Sequence, residues 1–310
     1  MVDQQAAKSV DIQVNGYRGV DFNSDDLTAE SLHKVCGQLE SDGVDGILAT
    51  IITDSIENMS ARLARLATLR DADPLAQKRI WGFHIEGPFI NKQPGYVGAH
   101  PAVEVLPATI DAMQRLLEAA GGLTKIVTLA PERDAGMAVT RMLADQGICV
   151  SGGHCNPTLD QLDAAIDAGL NTFTHLGNGC PKNLDRHDNI IQRVLSRSDQ
   201  LWVCFIGDGV HVPWTALGNY LQVTGIERAI VTTDAISAAG LGPGEFQLGD
   251  QVVHVDENGA TWSADRSHLM GSASTMPLVR SLLRKELRLS ESDVTTLTST
   301  NPRSLIASCG

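Results

Sequence analysis

Short apolar runs alternate with longer amphipathic stretches along almost the whole chain. Eight runs read as strands: Val10–Val14, Gly46–Thr50, Ile80–Ile85, Lys125–Ala130, Cys149–Gly152, Thr172–His175, Trp202–Ile206 and Ala229–Thr233. Between them, Thr28–Leu39, Ile56–Leu69, Thr109–Ala120, Ala135–Gln146, Thr158–Ala168 and Pro213–Thr224 carry helical spacing, and several open on Thr or Pro, as helix N-termini do. This alternation predicts a parallel sheet with crossover helices. Eight β–α pairs without a composition break favour a closed α/β barrel, a (β/α)8 TIM-type barrel, over an open doubly wound sheet. The open sheet would call for a Gly-rich turn after the first strand, and Asn15-Gly16-Tyr17-Arg18-Gly19 is not GxGxxG. After the eighth strand, the Gly-rich segment 240–261 predicts a β-hairpin on the barrel rim. Two helices, Ser274–Leu287 and Glu291–Thr298, then close the chain before Asn301-Pro302. The pattern shows neither repeat nor linker, so one catalytic domain over 1–310 is expected.

Composition narrows the picture. At 310 residues the chain has room for one such barrel, which typically takes about 250. The net charge of −13, with no run of Lys or Arg, gives no support to a nucleic-acid or anionic-membrane role. A phosphate on a substrate would have to be met by a few local donors. The first ten residues lack the basic flank and apolar core of a signal peptide, and no apolar run reaches membrane-spanning length. The six cysteines are scattered without a CxxC pair, which reads as reduced thiols in a cytoplasmic protein.

The chemistry lies in where the polar residues fall. His84 and Glu86 end the third strand, His154 follows the fifth, and His175 ends the sixth. His211 follows the seventh, and Asp234 ends the eighth. In such a barrel every strand's C-terminal end opens on one face, so these residues should converge. Two imidazoles and a carboxylate suit a catalytic divalent ion that keeps a position open for water. Glu86, His154 and His175 are the expected ligands, and Asp234 is the expected base for the water proton.

On these residues the sequence resembles the N-acetylglucosamine-6-phosphate deacetylase family of the amidohydrolase superfamily. The resemblance runs from Asp11 to about Leu305. It rests on Asp11-Ile-Gln-Val-Asn-Gly16, His84-Ile-Glu-Gly-Pro-Phe89, Gly153-His-Cys-Asn156, Thr174-His-Leu-Gly-Asn178, Asp208-Gly-Val-His-Val212, Thr233-Asp-Ala235 and Gly271-Ser272. It implies metal-dependent deacetylation of N-acetylglucosamine 6-phosphate. Glu86, His154 and His175 would hold the metal, Asp234 would act as general base and acid, and His100 would polarise the acetamide carbonyl. Asn178, Gly179, Arg186 and His211 would bind the sugar phosphate. In some members this arginine reaches a neighbouring subunit's site, so a homodimer is expected. Related enzymes carry His-x-His on the first strand for a second metal. Here Gln13 and Asn15 stand there, and neutral amides are poor ligands. One ion per subunit follows, with Zn2+ the default and Fe2+ or Co2+ compatible with the same donors.

Two departures stand out. Where the family has an aromatic residue and Asn-Ala-Met after the second metal histidine, this chain has Gly177-Asn178-Gly179-Cys180. The family's small β-sandwich has no counterpart in the sequence. These departures keep two alternatives open: an amidohydrolase for another N-acyl or cyclic-amide substrate, and a non-catalytic metal-binding sugar-phosphate sensor.

Overall fold

The computed structural model describes residues 8–309. The segment read above for a leader falls largely on residues 1–7, outside the described residues. Eight parallel strands follow one another around a barrel in chain order. They are β1 Ser9–Val14, β2 Val44–Ile52, β3 Ile80–Glu86, β4 Thr124–Leu129, β5 Cys149–Gly152, β6 Leu170–Phe173, β7 Trp202–Ile206 and β8 Ala229–Thr232. The first eight helices lie between them: α1 Ala29–Ser41, α2 Ile56–Asp71, α3 Pro74–Arg79, α4 Ile110–Ala119, α5 Ala138–Asp145, α6 Leu159–Asp167, α7 Ile190–Leu195 and α8 Trp214–Thr224. Thr28, Thr109 and Thr158 each accept a backbone N–H at the start of the helix they open, as their positions in the sequence predict. Among the described residues, no helix is long and apolar enough to cross a membrane.

The barrel interior follows the two-residue period of a strand. Near the closed end, Val10, Ile12, Leu48, Ile126, Cys149, Cys204 and Ile230 form one apolar cluster. Two residues further along several strands the side chains turn polar: Thr50 after Leu48, Thr128 after Ile126, Ser151 after Cys149, Thr232 after Ile230. These hydroxyls are satisfied inside the barrel: Thr50 accepts the Val14 N–H (3.1 Å) and Thr232 donates to Asp11. Thr174 meets both Thr128 (2.7 Å) and Ser151 (2.6 Å), and His84 meets Thr128 (2.7 Å) and the Ile12 carbonyl (3.1 Å). Burial pushes the His84 imidazole down to about 4, so it is a neutral member of this layer.

Closure between β1 and β8 is carried by few bonds. Asn15 and Gly16 donate their backbone N–H groups to the Ala235 carbonyl (2.7 and 3.1 Å). The buried Asp11 carboxylate accepts from the Thr232 hydroxyl, the Thr233 hydroxyl (2.6 Å) and the backbone N–H groups of Thr233 and Gln13 (3.3 Å each). Replacing it by alanine leaves several buried donors without an acceptor, each costing about 1–3 kcal/mol. Asp11→Ala is therefore expected to lose about 3 kcal/mol or more in denaturant unfolding. A loss below about 1 kcal/mol would show that this seam adds little.

The structure corrects several expectations. The predicted helix 135–146 begins as a 3₁₀ turn at Ala135–Met137, and α5 starts only at Ala138. Gly136 breaks the spiral with φ +64°, and the Asp134 carboxylate caps Val139 and Thr140 beyond it. Strand β6 starts two residues earlier than expected, so His175 lies just past its end. The rim hairpin gains a third strand, forming the meander β9 Gly244–Leu248, β10 Gln251–Val255 and β11 Thr261–Ser263. It is fastened to the barrel mouth by Gly249 N–H to Asp21 (2.6 Å) and by the Gln251 amide to the Ala99 carbonyl (2.8 Å).

The C-terminus differs more. After α9 Met276–Leu287 and α10 Glu291–Thr295, a π-helical turn at Thr296–Thr300 runs directly into α11 Asn301–Ser308. Pro302 sits in the first turn of α11, where its missing N–H costs nothing. This helix plugs the closed end of the barrel with Leu305 and Ile306, and it brings Cys309 beside Cys149 with Cα atoms 5.4 Å apart. The two are joined as a disulfide, which overturns the reading of all six cysteines as reduced thiols. Cys36, Cys155, Cys180 and Cys204 are free.

Candidate active site

Three of the expected site residues stand two positions beyond a strand end: His154 after β5, His175 after β6 and Asp234 after β8. All three have left-handed backbone, with φ +49°, +30° and +51°. Such geometry costs of order 1–3 kcal/mol per non-glycine residue and persists only where the surroundings enforce it. Here it bends each chain sharply at the barrel mouth, and the three side chains turn in over its axis.

Glu86, at the last position of β3, meets them there. Its Oε1 lies 2.9 Å from His175 Nε2 and 3.3 Å from His154 Nε2, and the two Nε2 atoms are 3.2 Å apart. All three residues are buried. His154 Nδ1 donates to the Tyr96 carbonyl (2.7 Å), which leaves its Nε2 as a lone pair. Gly98 and Gly179 pack against the same ring. A Cβ at either position would stand 2.9 Å from a ring atom, and both have φ near +60°, so no side chain fits. The set thus brings the His154 Nε2 lone pair, His175 Nε2 and a carboxylate oxygen to one point. It is electrostatically complete only with a positive charge there, as a divalent ion would supply.

The neighbouring groups are oriented as firmly. Gln13 Nε2 donates to Glu86 Oε2 (3.2 Å), and Asn15 Nδ2 donates to Asp234 Oδ1 (2.7 Å). Burial, with the Glu86 charge adding to it, pushes the Asp234 carboxyl up to about 7. His100 Nδ1 lies 2.8 Å from the Thr53 hydroxyl and accepts the Thr53 backbone N–H (3.3 Å). Burial and the adjacent His154 push His100 down to about 3, so the ring is neutral and its proton sits on Nε2. His211 Nδ1 donates to the Asp208 carboxylate at 2.6 Å, with both side chains at most 5% exposed. Burial opposes charge on His211, yet Asp208 lifts it above its ordinary value, and Asp234 adds to this.

These residues surround a cavity of about 480 Å³, large enough for a phosphorylated monosaccharide. Of the side chains singled out from sequence, Gln13, His84 and Arg186 are the three that do not line it. Gln13 lies beneath Glu86, and Arg186 is exposed on the loop before α7. Asn178 lines the wall with a buried Nδ2 that has no partner among the described residues. Sequence reasoning missed Lys182 and His268, which line the wall, and the pairing of Asp208 with His211. The Asp208-Gly-x-His211 spacing, a carboxylate three residues before a histidine in a turn, was the available signal for the last.

No family model matches the chain. Individual relatives do. The N-acetylglucosamine-6-phosphate deacetylase of Bacillus subtilis (strain 168) is 31% identical over 94% of this chain and 72% of its own length. That of Bos taurus is 34% identical over 86% and 66%. Among solved structures, a mutant N-acetyl-D-glucosamine-6-phosphate deacetylase from Mycobacterium smegmatis, in complex with N-acetyl-D-glucosamine-6-phosphate, superposes with a TM-score of 0.87. It is 28% identical and spans 97% of this chain and 77% of that one. With the barrel and the Glu86–His154–His175 cluster already in place, this degree of likeness is decisive: the chain belongs to the N-acetylglucosamine-6-phosphate deacetylase family.

Proposed function

We propose that the chain hydrolyses the acetamide of N-acetylglucosamine 6-phosphate, releasing acetate and glucosamine 6-phosphate. The observation that carries this reading is the convergence of Glu86, His154 and His175 in one cavity with Asp234 and the His100 donor. Glu86, His154 and His175 would hold a single divalent ion, Zn2+, although Fe2+ or Co2+ fits the same donors. When bound, that ion supplies Lewis acidity, lowering the pKa of water and drawing charge from a carbonyl oxygen. Gln13 and Asn15 serve as positioning donors to Glu86 and Asp234 rather than as ligands.

Asp234, steadied through Oδ1 by Asn15, accepts the proton of the attacking water on its other oxygen and returns it to the departing amine. His100 Nε2–H donates to the acetamide oxygen as negative charge develops there. The free Asn178 amide, the Gly179 backbone, Lys182 and His211 grip the sugar phosphate and fix its orientation. Arg186, exposed and off the wall of its own cavity, suits a homodimer in which each subunit's arginine completes the other's phosphate site.

The test is acetate release from N-acetylglucosamine 6-phosphate against the unphosphorylated sugar. Two charge-assisted contacts to phosphate, at about 1.5–3 kcal/mol each, predict a kcat/KM at least about 10²-fold lower without it. Equal rates on both sugars, or no acetate from either, would refute the assignment.

A further inference from the structure

Asp208 has no part in the chemistry described above, yet it is among the most completely satisfied carboxylates in the molecule. Its Oδ1 accepts the backbone N–H groups of Val210 and His211 (2.9 Å each), and its Oδ2 accepts His211 Nδ1–H at 2.6 Å. The turn after β7 is thereby tied into a loop that holds one imidazole against the cavity wall. An ionised carboxylate only accepts, so the proton on Nδ1 is fixed and the other ring nitrogen is left to address the cavity.

We propose that Asp208 is a positioning residue that keeps His211 doubly protonated, so that the cavity presents a fixed imidazolium to the anionic substrate. This inference rests on the phosphorylated-sugar reading. The surroundings agree. The chain carries a net charge of −13, so attraction for a dianion must be local. The other titratable groups that line the cavity with His211 are Asp234, Glu86, His100, His154, His175, His268, Lys182 and Cys180. Asp234 adds to the lift that Asp208 gives His211, whereas burial opposes it. His100 and His84, by contrast, are buried without a paired carboxylate and are held neutral. The chain therefore holds one cavity imidazole neutral as a donor and biases another toward its charged form.

The sign of the pH dependence follows. The charged form of His211 binds the substrate, so KM for the phosphorylated sugar should be lowest below the raised His211 pKa. It should climb as pH rises through it. Asp208→Asn removes the charge while keeping the shape. The amide oxygen can still serve the two backbone N–H groups, and the amide NH2 then donates to Nδ1, leaving a neutral ring with its proton on the cavity-facing nitrogen. The variant keeps the donor and loses the cation.

The experiment has two arms, both on the full metal-loaded protein. In the first, NMR titration of isotopically labelled histidine follows His211, identified by its absence in His211→Gln, without substrate. The wild-type ring should titrate above the ordinary value of about 6.5, and the Asp208→Asn ring below it. A wild-type ring titrating at or below that value overturns the proposal, whatever the variant does. In the second, KM for N-acetylglucosamine 6-phosphate should rise about tenfold at neutral pH in Asp208→Asn, with a smaller change in kcat and no alkaline rise in KM. A variant whose KM profile matches the wild type also overturns it. If the NMR arm succeeds while the wild type shows no preference for the phosphorylated sugar, the substrate reading has failed and the histidine's charge state stands.

Discussion

Asp234→Asn is expected to lower kcat by about 10³–10⁴-fold while the protein keeps its full complement of metal. The magnitude is that of removing a positioned proton acceptor which must also act as the donor to the leaving amine. The Asn15 amide can still reach the substituted side chain, so local geometry should survive. Kinetics paired with elemental analysis decides the matter. A kcat within tenfold of wild type, or a parallel loss of metal, would remove Asp234 from the role of proton carrier. The same measurement separates an enzyme from a binding-only sensor, which has no need of that carboxylate.

The pH profile should report the same group. Without an ion, burial and the Glu86 charge place the Asp234 carboxyl at about 7. Only the ionised form accepts a proton, so turnover falls as pH drops through its pKa. A cation among Glu86, His154 and His175 offsets the Glu86 charge and stabilises the carboxylate, moving this acid limb below 7. Stability of the ion-free chain responds in the opposite sense. A carboxyl raised from 3.8 when unfolded to about 7 when folded contributes stability that is fully present below pH 3.8. That contribution is lost as pH rises through 7.

The second large effect is expected from Glu86→Gln. A neutral amide is a poor ligand, and its NH2 would oppose either the Gln13 donor or the ion itself. Loss of even an outer partner of a metal ligand typically costs 10–100-fold in affinity, so loss of a ligand should exceed about 100-fold. The dialysed variant should hold little metal, and turnover should fall by about 10³-fold or more. Chelation of the wild type should reproduce the loss, and added Zn2+ should restore it. A variant that binds one ion per chain as tightly as wild type would show that Glu86 is no ligand.

The barrel was legible in the sequence because its strands are separated by amphipathic helices long enough to show a period. Where helices are short, periodicity has nothing to act on: α3 and α7, of six residues each, went unseen. Pro302 made the last helix look like its own end, although proline is welcome in a first turn. The site's polar residues were readable because a barrel delivers strand ends to one face, so position alone gathered Glu86, His154, His175 and Asp234. Their supporting contacts were not. Thr53 fixing the His100 tautomer, the Tyr96 carbonyl on His154, and the glycines packed against that ring come from separate loops with no shared spacing. Cys149 and Cys309 lie 160 residues apart, and only the packing of α11 under the barrel brings them together.

The join between the first and last barrel strands also bears on how the molecule is made. Asp11 and Asn15 emerge from the ribosome early, but their partners Thr232, Thr233 and Asp234 lie about 220 residues downstream. At bacterial-to-eukaryotic elongation rates of about 5–20 residues per second, this leaves on the order of ten to forty seconds in which β1 has an open edge. An open strand edge is a template for mispairing with other nascent chains. Asn15 steadies Asp234 across that same join, so the proton carrier is set in place only when the ring is complete, and an unfinished chain cannot turn over substrate.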